Sequence, residues 1–175
     1  LLLADLGAEV VNIEDPDGGD PLRQMPPHLG AAGGAIFHAF NRNKRSVALD
    51  LRTEPGRRAF FALLPGADVV IEGFRPGVLE KLGIGWEAMR ARNPRLVLCS
   101  ISGFGRTGPD RHRAGHDIGF LARAGVLGIA GERHGRSETW PGAQVADVAG
   151  GSLLAALSIL AALRERERTG AGRHL

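Results

Sequence analysis

Apolar positions along the chain fall into short blocks that switch between the helical and the extended period. Leu1 to Leu6 is helical in composition and closes at Gly7, and Glu9 to Ile13 follows as a β-branched run, so a helix feeds a strand. Ser46 to Leu51 reads as a strand, Pro55 to Leu64 as an amphipathic helix opened by proline, and Ala67 to Glu72 as another strand, together a β-α-β unit. Phe74 to Gly77 is a turn, Glu87 to Arg92 a short helix and Arg95 to Ile101 an apolar strand. Alternation of this kind predicts an α/β fold, a mainly parallel sheet covered by helices.

From His116 onward the pattern changes to a helix ending near Leu127, a Gly-rich and charged loop from Gly128 to Trp140, and a long helix from Asp147 to Arg166. Between the first elements, Asp15 to Gly34 is dense in Pro and Gly and reads as a long surface loop with no packed element. The longest apolar stretch, Leu153 to Leu163, has 11 residues, against the ~20 that span a bilayer. It reads as a buried helix, and no membrane partner is expected. Asp5 and Glu9 follow Leu1-Leu2-Leu3 at once, which argues against a signal segment.

Composition narrows the classes further. The chain has 175 residues, 22 Lys plus Arg and 19 Asp plus Glu, for a formal charge of +3. A strongly basic nucleic-acid tail is excluded, and so is disorder, since 43% of residues are hydrophobic. Only Lys44 and Lys81 are lysines; the remaining cations are arginines, whose forks suit phosphates and carboxylates, although a GC-rich genome gives the same bias. A single cysteine, Cys99, cannot form an internal disulfide and fits a reducing, cytoplasmic setting. The first residue is Leu1 and the chain stops after Thr169-Gly170-Ala171-Gly172, so a fragment is an open reading.

Several motifs invite chemistry. Gly103-Phe104-Gly105-Arg106-Thr107-Gly108 matches G-x-G-x-x-G after a strand, but Pro109-Asp110-Arg111-His112-Arg113 follows where a dinucleotide site needs an apolar helix. A tight loop that lets backbone approach a ligand or a neighbour is the better account. His112 and His116 are spaced like a helical metal pair, yet Gly115 and Pro109 make a poor helix and no Glu lies between them, so no metal is expected. Arg75 and Lys81 flank the turn after a strand, where open α/β sheets bind ligands, and Arg42, Lys44 and Arg45 precede another strand. Both groups read either as a phosphate site or as solvated surface charge. His116 and Asp147 each stand at a helix start; Asp147 is either an N-cap or a reacting carboxylate, and His116 either a boundary histidine or an acid/base. The Gly150-Gly151 pair, costly inside a helix, suggests close backbone approach to something.

Taken in order, these segments carry a family resemblance. Leu3-Ala4-Asp5-Leu6-Gly7-Ala8-Glu9-Val10-Val11, Gly19-Asp20-Pro21, Asn41-Arg42-Asn43-Lys44-Arg45-Ser46, Asp68-Val69-Val70-Ile71-Glu72-Gly73-Phe74-Arg75-Pro76-Gly77 and Ser102-Gly103-Phe104-Gly105-Arg106-Thr107-Gly108-Pro109 resemble the family III CoA-transferases, which include the α-methylacyl-CoA racemases. The likeness continues through Gly115-His116-Asp117, Asp147 and Arg164-x-Arg166-x-Arg168-Thr169-Gly170-x-Gly172. It implies the Rossmann-like parallel sheet of that family's large, CoA-binding domain, truncated at both ends: a first strand before Leu1 and the C-terminal half of the family are absent.

The resemblance also implies chemistry. Asp147 matches the family's catalytic aspartate, and His116 stands where racemase-like members carry histidine and transferases an aromatic residue. Racemisation of a 2-methylacyl-CoA through an enolate, with His116 and Asp147 as the acid/base pair on its two faces, is therefore the first expectation, within fatty-acid metabolism. Backbone N–H groups near Gly115 or at the helix start of Asp147 would stabilise the enolate oxygen. The alternative is CoA transfer between an acyl-CoA and a carboxylic acid through an aspartyl-acyl anhydride on Asp147. Coenzyme A enters as part of the substrate, with no prosthetic group, and matches Leu51, Arg52, Gly73, Phe74, Arg75 and Lys81. The family further implies an interlocked homodimer and a glutamate beyond Leu175 that orients His116. One departure stands out: Asp15 precedes Pro16 where relatives place a CoA-contacting arginine, so either Arg23 or Arg42 compensates or CoA lies differently at this edge.

Overall fold

The computed structural model describes residues 1–130 and 143–175; most of the Gly-rich loop expected from Gly128 to Trp140 lies outside the described residues. Helix α1 (Leu2–Asp5) leads into strand β1 (Val10–Glu14), α2 (Ala35–Asn41), β2 (Lys44–Ala48), α3 (Glu54–Leu63) and β3 (Val69–Glu72). Then come α4 (Val78–Lys81), α5 (Trp86–Arg92), β4 (Val97–Ser100), α6 (Asp117–Arg123) and α7 (Val126–Ala130). A π-helical segment (Ala146–Leu153) runs straight into α8 (Leu154–Thr169), and β5 (Arg173–His174) follows. The fold is α/β with every strand pair parallel, as the alternation of periods predicts.

The strands form two sheets, β1-β2 and β3-β4-β5, among the described residues. This corrects the expected β-α-β unit through α3, because β2 pairs with β1 and β3 with β4 instead of with each other. A doubly wound sheet has the order 3-2-1-4-5-6. The two sheets here have the connectivity of its 3-2 and 4-5-6 portions, which that order separates by a strand.

Strand β4 organises the core. Successive strand residues point to opposite faces, and residues 96–99 are buried throughout, so the strand is covered on both sides. Leu96 and Leu98 join Phe60, Leu64, Leu79, Ile84 and Met89 from α3, α4 and α5. Beneath the other face runs α8, which buries Ile159 and Ala162. Thr53 caps α3 by accepting the Gly56 N–H at 3.2 Å, with Pro55 in the first turn where its missing N–H costs nothing. Asn93 ties α5 to the preceding layer, donating to the carbonyls of Leu64 and Ala67 at 2.9 and 2.8 Å. Gly172 is required for β5 to approach β4, since a Cβ there would overlap the Leu96 carbonyl.

Four further expectations change. The segment from Asp15 to Gly34 holds two 3-10 turns, Pro21–Gln24 and Gly30–Ala32, the first capped by Asp20. The helix from His116 breaks after Arg123, where Gly125 adopts φ +78, into α6 and α7. The long helix begins before Asp147, at Ala146.

The apolar stretch Leu153 to Leu163 is not buried: Leu157 is 65% exposed, and Leu153, Leu154 and Leu160 are about half exposed or more. The reason is geometric, since the helix is apolar around its circumference and only the Ile159–Ala162 stripe meets the sheet. The continuous helix Ala146–Thr169 is by length and composition long enough to cross a bilayer, a test that core helices also pass. Here it carries Asp147 in its first turn and five consecutive charged residues, 164–168, in its last turns, and it lies against β4.

Candidate active site

The first turn of the π-helical segment places Asp147. Extended π-helix is rare and concentrates at functional sites, and this one holds Asp147, Gly150 and Gly151. Gly151 meets Ile101 at the end of β4 in ordinary contact, 3.6 Å from where a Cβ would sit, while nothing among the described residues comes near Gly150, so no close backbone approach among them explains the pair. Asp147 is not an N-cap. It lies inside the helix, and among the described residues its carboxylate makes no hydrogen bond.

What caps this helix start is Asp117, the first residue of α6, whose Oδ1 accepts the Asp147 backbone N–H at 2.8 Å. The Asp147 N–H is thereby engaged and is not free to stabilise an enolate oxygen, which corrects that part of the sequence reading. Burial pushes the Asp147 carboxyl above the usual aspartate range, the Asp117 charge adds to the rise, and His116 opposes it. The structure thus brings His116 and Asp147 into one electrostatic site. His116 itself is exposed, precedes α6 in an extended conformation, and caps nothing.

Around this pair the Gly-rich loop is packed by an aromatic. The Phe120 ring of α6 fills the space beside Gly103 and Gly115; a Cβ at Gly115 would come within 2.6 Å of it and one at Gly103 would overlap it. Phe104 stacks edge-on against Phe120 at 5.4 Å, and Arg123 lies over Phe104 while pairing with Asp110 at 2.9 Å. The close backbone approach expected of the G-x-G-x-x-G segment is therefore made to a neighbouring ring.

The residues matched to CoA lie at the carboxyl ends of β2 and β3. Glu72 shapes the exit turn of β3 by accepting the Phe74 N–H at 2.7 Å, which leaves Phe74 and Arg75 exposed. Arg75 and Lys81 have no hydrogen-bond or ion-pair partner among the described residues. Arg52 differs, since its Nε bonds Asp50 at 2.7 Å and its Nη2 lies 3.4 Å from Asp15. Leu51 is half-buried and packs against the core beside β2, and Gly73 is exposed at the start of the turn. Of the two arginines named against Asp15, Arg23 pairs with Glu14 and Arg42 with Asp5, at 2.8 and 2.6 Å. Among the described residues no three His, Cys, Asp or Glu side chains gather as a metal group.

A shallow depression beside this turn is lined by Glu72, Phe74, Arg75, Ser100, Arg106 and His174. His174 Nε2 meets Ser100 Oγ at 2.8 Å, and Arg106 from the Gly-rich loop approaches both ring nitrogens. Burial and then the Arg106 charge push the His174 imidazole below its ordinary range, so it is neutral at pH 7. Sequence reasoning missed Asp117, Ser100, Arg106 and His174. Asp117 was legible as an acidic residue in a helix first turn, whereas the His174 contacts depend on a two-residue strand that carries no periodic signal.

An α/β domain with parallel strands, free cations at strand ends and an uncommitted carboxylate in a helix first turn defines a class of enzyme scaffold. A family model described as CoA-transferase family III matches residues 1–175, and the chain belongs to that family. It is 42% identical over 171 residues to succinyl-CoA–D-citramalate CoA-transferase of Chloroflexus aurantiacus, covering 98% of this chain and 42% of the relative. It is 44% identical over 184 residues to succinyl-CoA:mesaconate CoA-transferase of Haloarcula hispanica, covering all of this chain and 46% of the relative. Among solved structures, a CAIB/BAIF family protein from Brucella suis superposes with a TM-score of 0.92 at 42% identity, over 99% of this chain and 46% of that one. The chain spans less than half the length of these relatives. Their names correct the order of the two functional expectations: both curated relatives are CoA-transferases, and His116 alone does not carry a racemase reading against that.

Proposed function

We propose that the protein transfers coenzyme A between an acyl-CoA and a carboxylic acid, with Asp147 as the nucleophile. An Asp147 oxygen attacks the thioester carbonyl, the C–S bond breaks and CoA leaves as the thiolate; the thiolate attacks the aspartyl carbonyl of the anhydride and releases the donor acid, the acceptor carboxylate displaces CoA from the aspartyl thioester, and CoA then takes the new acyl group and frees Asp147. The observation that carries this reading is the state of Asp147: a carboxylate with no hydrogen-bond partner among the described residues, made more basic by burial and by Asp117. A more basic carboxylate is a better nucleophile as long as the working pH keeps it ionised.

Coenzyme A takes its place along the strand ends, with Phe74 against the nucleotide and Arg75 and Lys81 as phosphate cations, since these two carry no partner among the described residues. Succinyl-CoA is the donor of choice, on the names of the relatives, with a short dicarboxylic acid as acceptor. A second copy of the chain is the proposed partner, supported by the exposed Leu153, Leu154, Leu157 and Leu160 of the long helix.

The experiment incubates the full chain with succinyl-CoA and labelled mesaconate or glutarate in deuterated water. Label appearing in CoA thioester without deuterium at the acyl α-carbon supports transfer. Deuterium at that carbon without label transfer overturns it in favour of enolate chemistry by His116 and Asp147.

A further inference from the structure

Asp147 and Asp117 are thirty positions apart in sequence, on different helices, yet one hydrogen bond joins them. The geometry is unusual in what it connects. Val145, the residue that precedes the π-helical segment, offers no side-chain acceptor to the helix start, and the acceptor arrives instead from the first turn of α6. A carboxylate at that place satisfies a backbone donor that the helix leaves unpaired and interacts favourably with the positive end of the helix dipole. It also fixes the backbone of Asp147 itself, and so the direction in which the Cα–Cβ bond aims the carboxylate.

Charge acts in the same place. Among the described residues the charged groups that act on Asp147 are Asp117 and His116, neighbours in sequence with opposite effects: the aspartate favours the protonated carboxyl and the histidine the ionised one. On the β4 side it is Gly151 of the same segment, not Asp147, that meets a side chain, the apolar Ile101. Asp117 at the start of α6 therefore fixes the backbone that carries the carboxylate, and with His116 it adds charge to a site where burial acts first.

We propose that Asp117 is a positioning residue for Asp147, holding its backbone through the N–H and placing a second charge beside the carboxylate that attacks the thioester. This deepens the transfer reading and rests on it. Asp117 does not touch the acyl group in this account; it acts through Asp147.

The test compares Asp117→Asn, which keeps an acceptor oxygen and removes the charge, with Asp117→Ala, which removes both, in the full chain. Three readouts are needed: the pH profile of kcat, the ¹³C titration of the Asp147 carboxyl, and the amount of acyl adduct on Asp147. Asp117→Asn is expected to move the Asp147 titration and the acid limb of kcat to lower pH, with kcat at the optimum falling less than about tenfold. Asp117→Ala is expected to lower kcat about a hundredfold with KM for the CoA substrate little changed. An Asp147 titration and acid limb that stay in place in Asp117→Asn, with adduct still forming in the unaltered enzyme, overturn the proposal even if Asp117→Ala fails to fold. An unaltered enzyme that forms no adduct while the titration still shifts overturns the transfer reading and leaves the Asp117–Asp147 coupling standing.

Discussion

Arg52 Nη2 lies 3.4 Å from Asp15 Oδ2, joining the residues that follow β2 and β1. The sequence places a negative residue before Pro16, at the edge where phosphate is expected, and the structure shows where that charge goes. It shares the Arg52 guanidinium with Asp50. An arginine surrounded by carboxylates is a weaker phosphate donor than one without partners, so in the proposed CoA site the phosphate contacts are assigned to Arg75 and Lys81 on the β3 side.

Asp15→Asn is therefore expected to tighten CoA binding about two- to fivefold, the size of an exposed ion pair. Arg75→Ala is expected to weaken it about tenfold or more, because a charge-assisted hydrogen bond is lost with nothing internal to replace it. Calorimetric titration of free CoA at two ionic strengths checks both, with the Arg75 variant also losing part of the salt dependence. Equal effects of the two substitutions would contradict the assignment.

The loop that follows β1 is fixed by a buried charge. Glu14 accepts Arg23 Nε and Nη2 at 2.8 and 2.9 Å, Ser46 Oγ at 2.7 Å and the Asp20 N–H at 2.9 Å. The Arg23 guanidinium is the largest cause, and with Ser46 and Asp20 it holds the Glu14 carboxyl at about 2, against the opposing effect of burial. A depressed folded value means stability that is complete above the unfolded value near pH 4.5 and lost as pH falls toward 2. The network contributes about 2–3 kcal/mol, and Glu14→Gln is expected to lose most of that at pH 7 and to flatten the stability profile below pH 4.5. Denaturant midpoints between pH 3 and pH 7 measure it.

Gly103 and Gly115 leave room for one ring. Gly103→Ala drives a methyl into Phe120 and is expected to destabilise the protein by about 1–3 kcal/mol. Pairing it with Phe120→Leu should recover part of the loss, because the two positions share one space. A thermal-unfolding double-mutant cycle reads the coupling; strictly additive effects would refute it.

How much of this was legible beforehand follows from the physics of each signal. The run Val97–Ser100 announces itself because a strand covered on both faces is apolar along its length, and Val69–Glu72 because its first three residues are β-branched. Helix α2 went unseen because Ala35–Asn41 directly follows the Gly- and Pro-rich loop and spans only two turns, too short to display a helical period. Strand β5 went unseen because two residues have no period. The exposure of Leu157 could not be read either, since a helix apolar on every side says nothing about which side is covered. For the site, Asp147, His116 and the β3 turn were reachable through motif order. The partners that decide what each does, Asp117 for Asp147 and Asp15 for Arg52, required the fold to bring distant residues together.

The central claim is that Asp147 carries the acyl group. The full chain is incubated with succinyl-CoA, treated with hydroxylamine and digested, and the peptide containing Asp147 is examined by mass spectrometry. The account predicts a hydroxamate at Asp147 that forms within the turnover time and is absent from Asp147→Asn. Label transfer between CoA and carboxylate with no modification at Asp147 would contradict it.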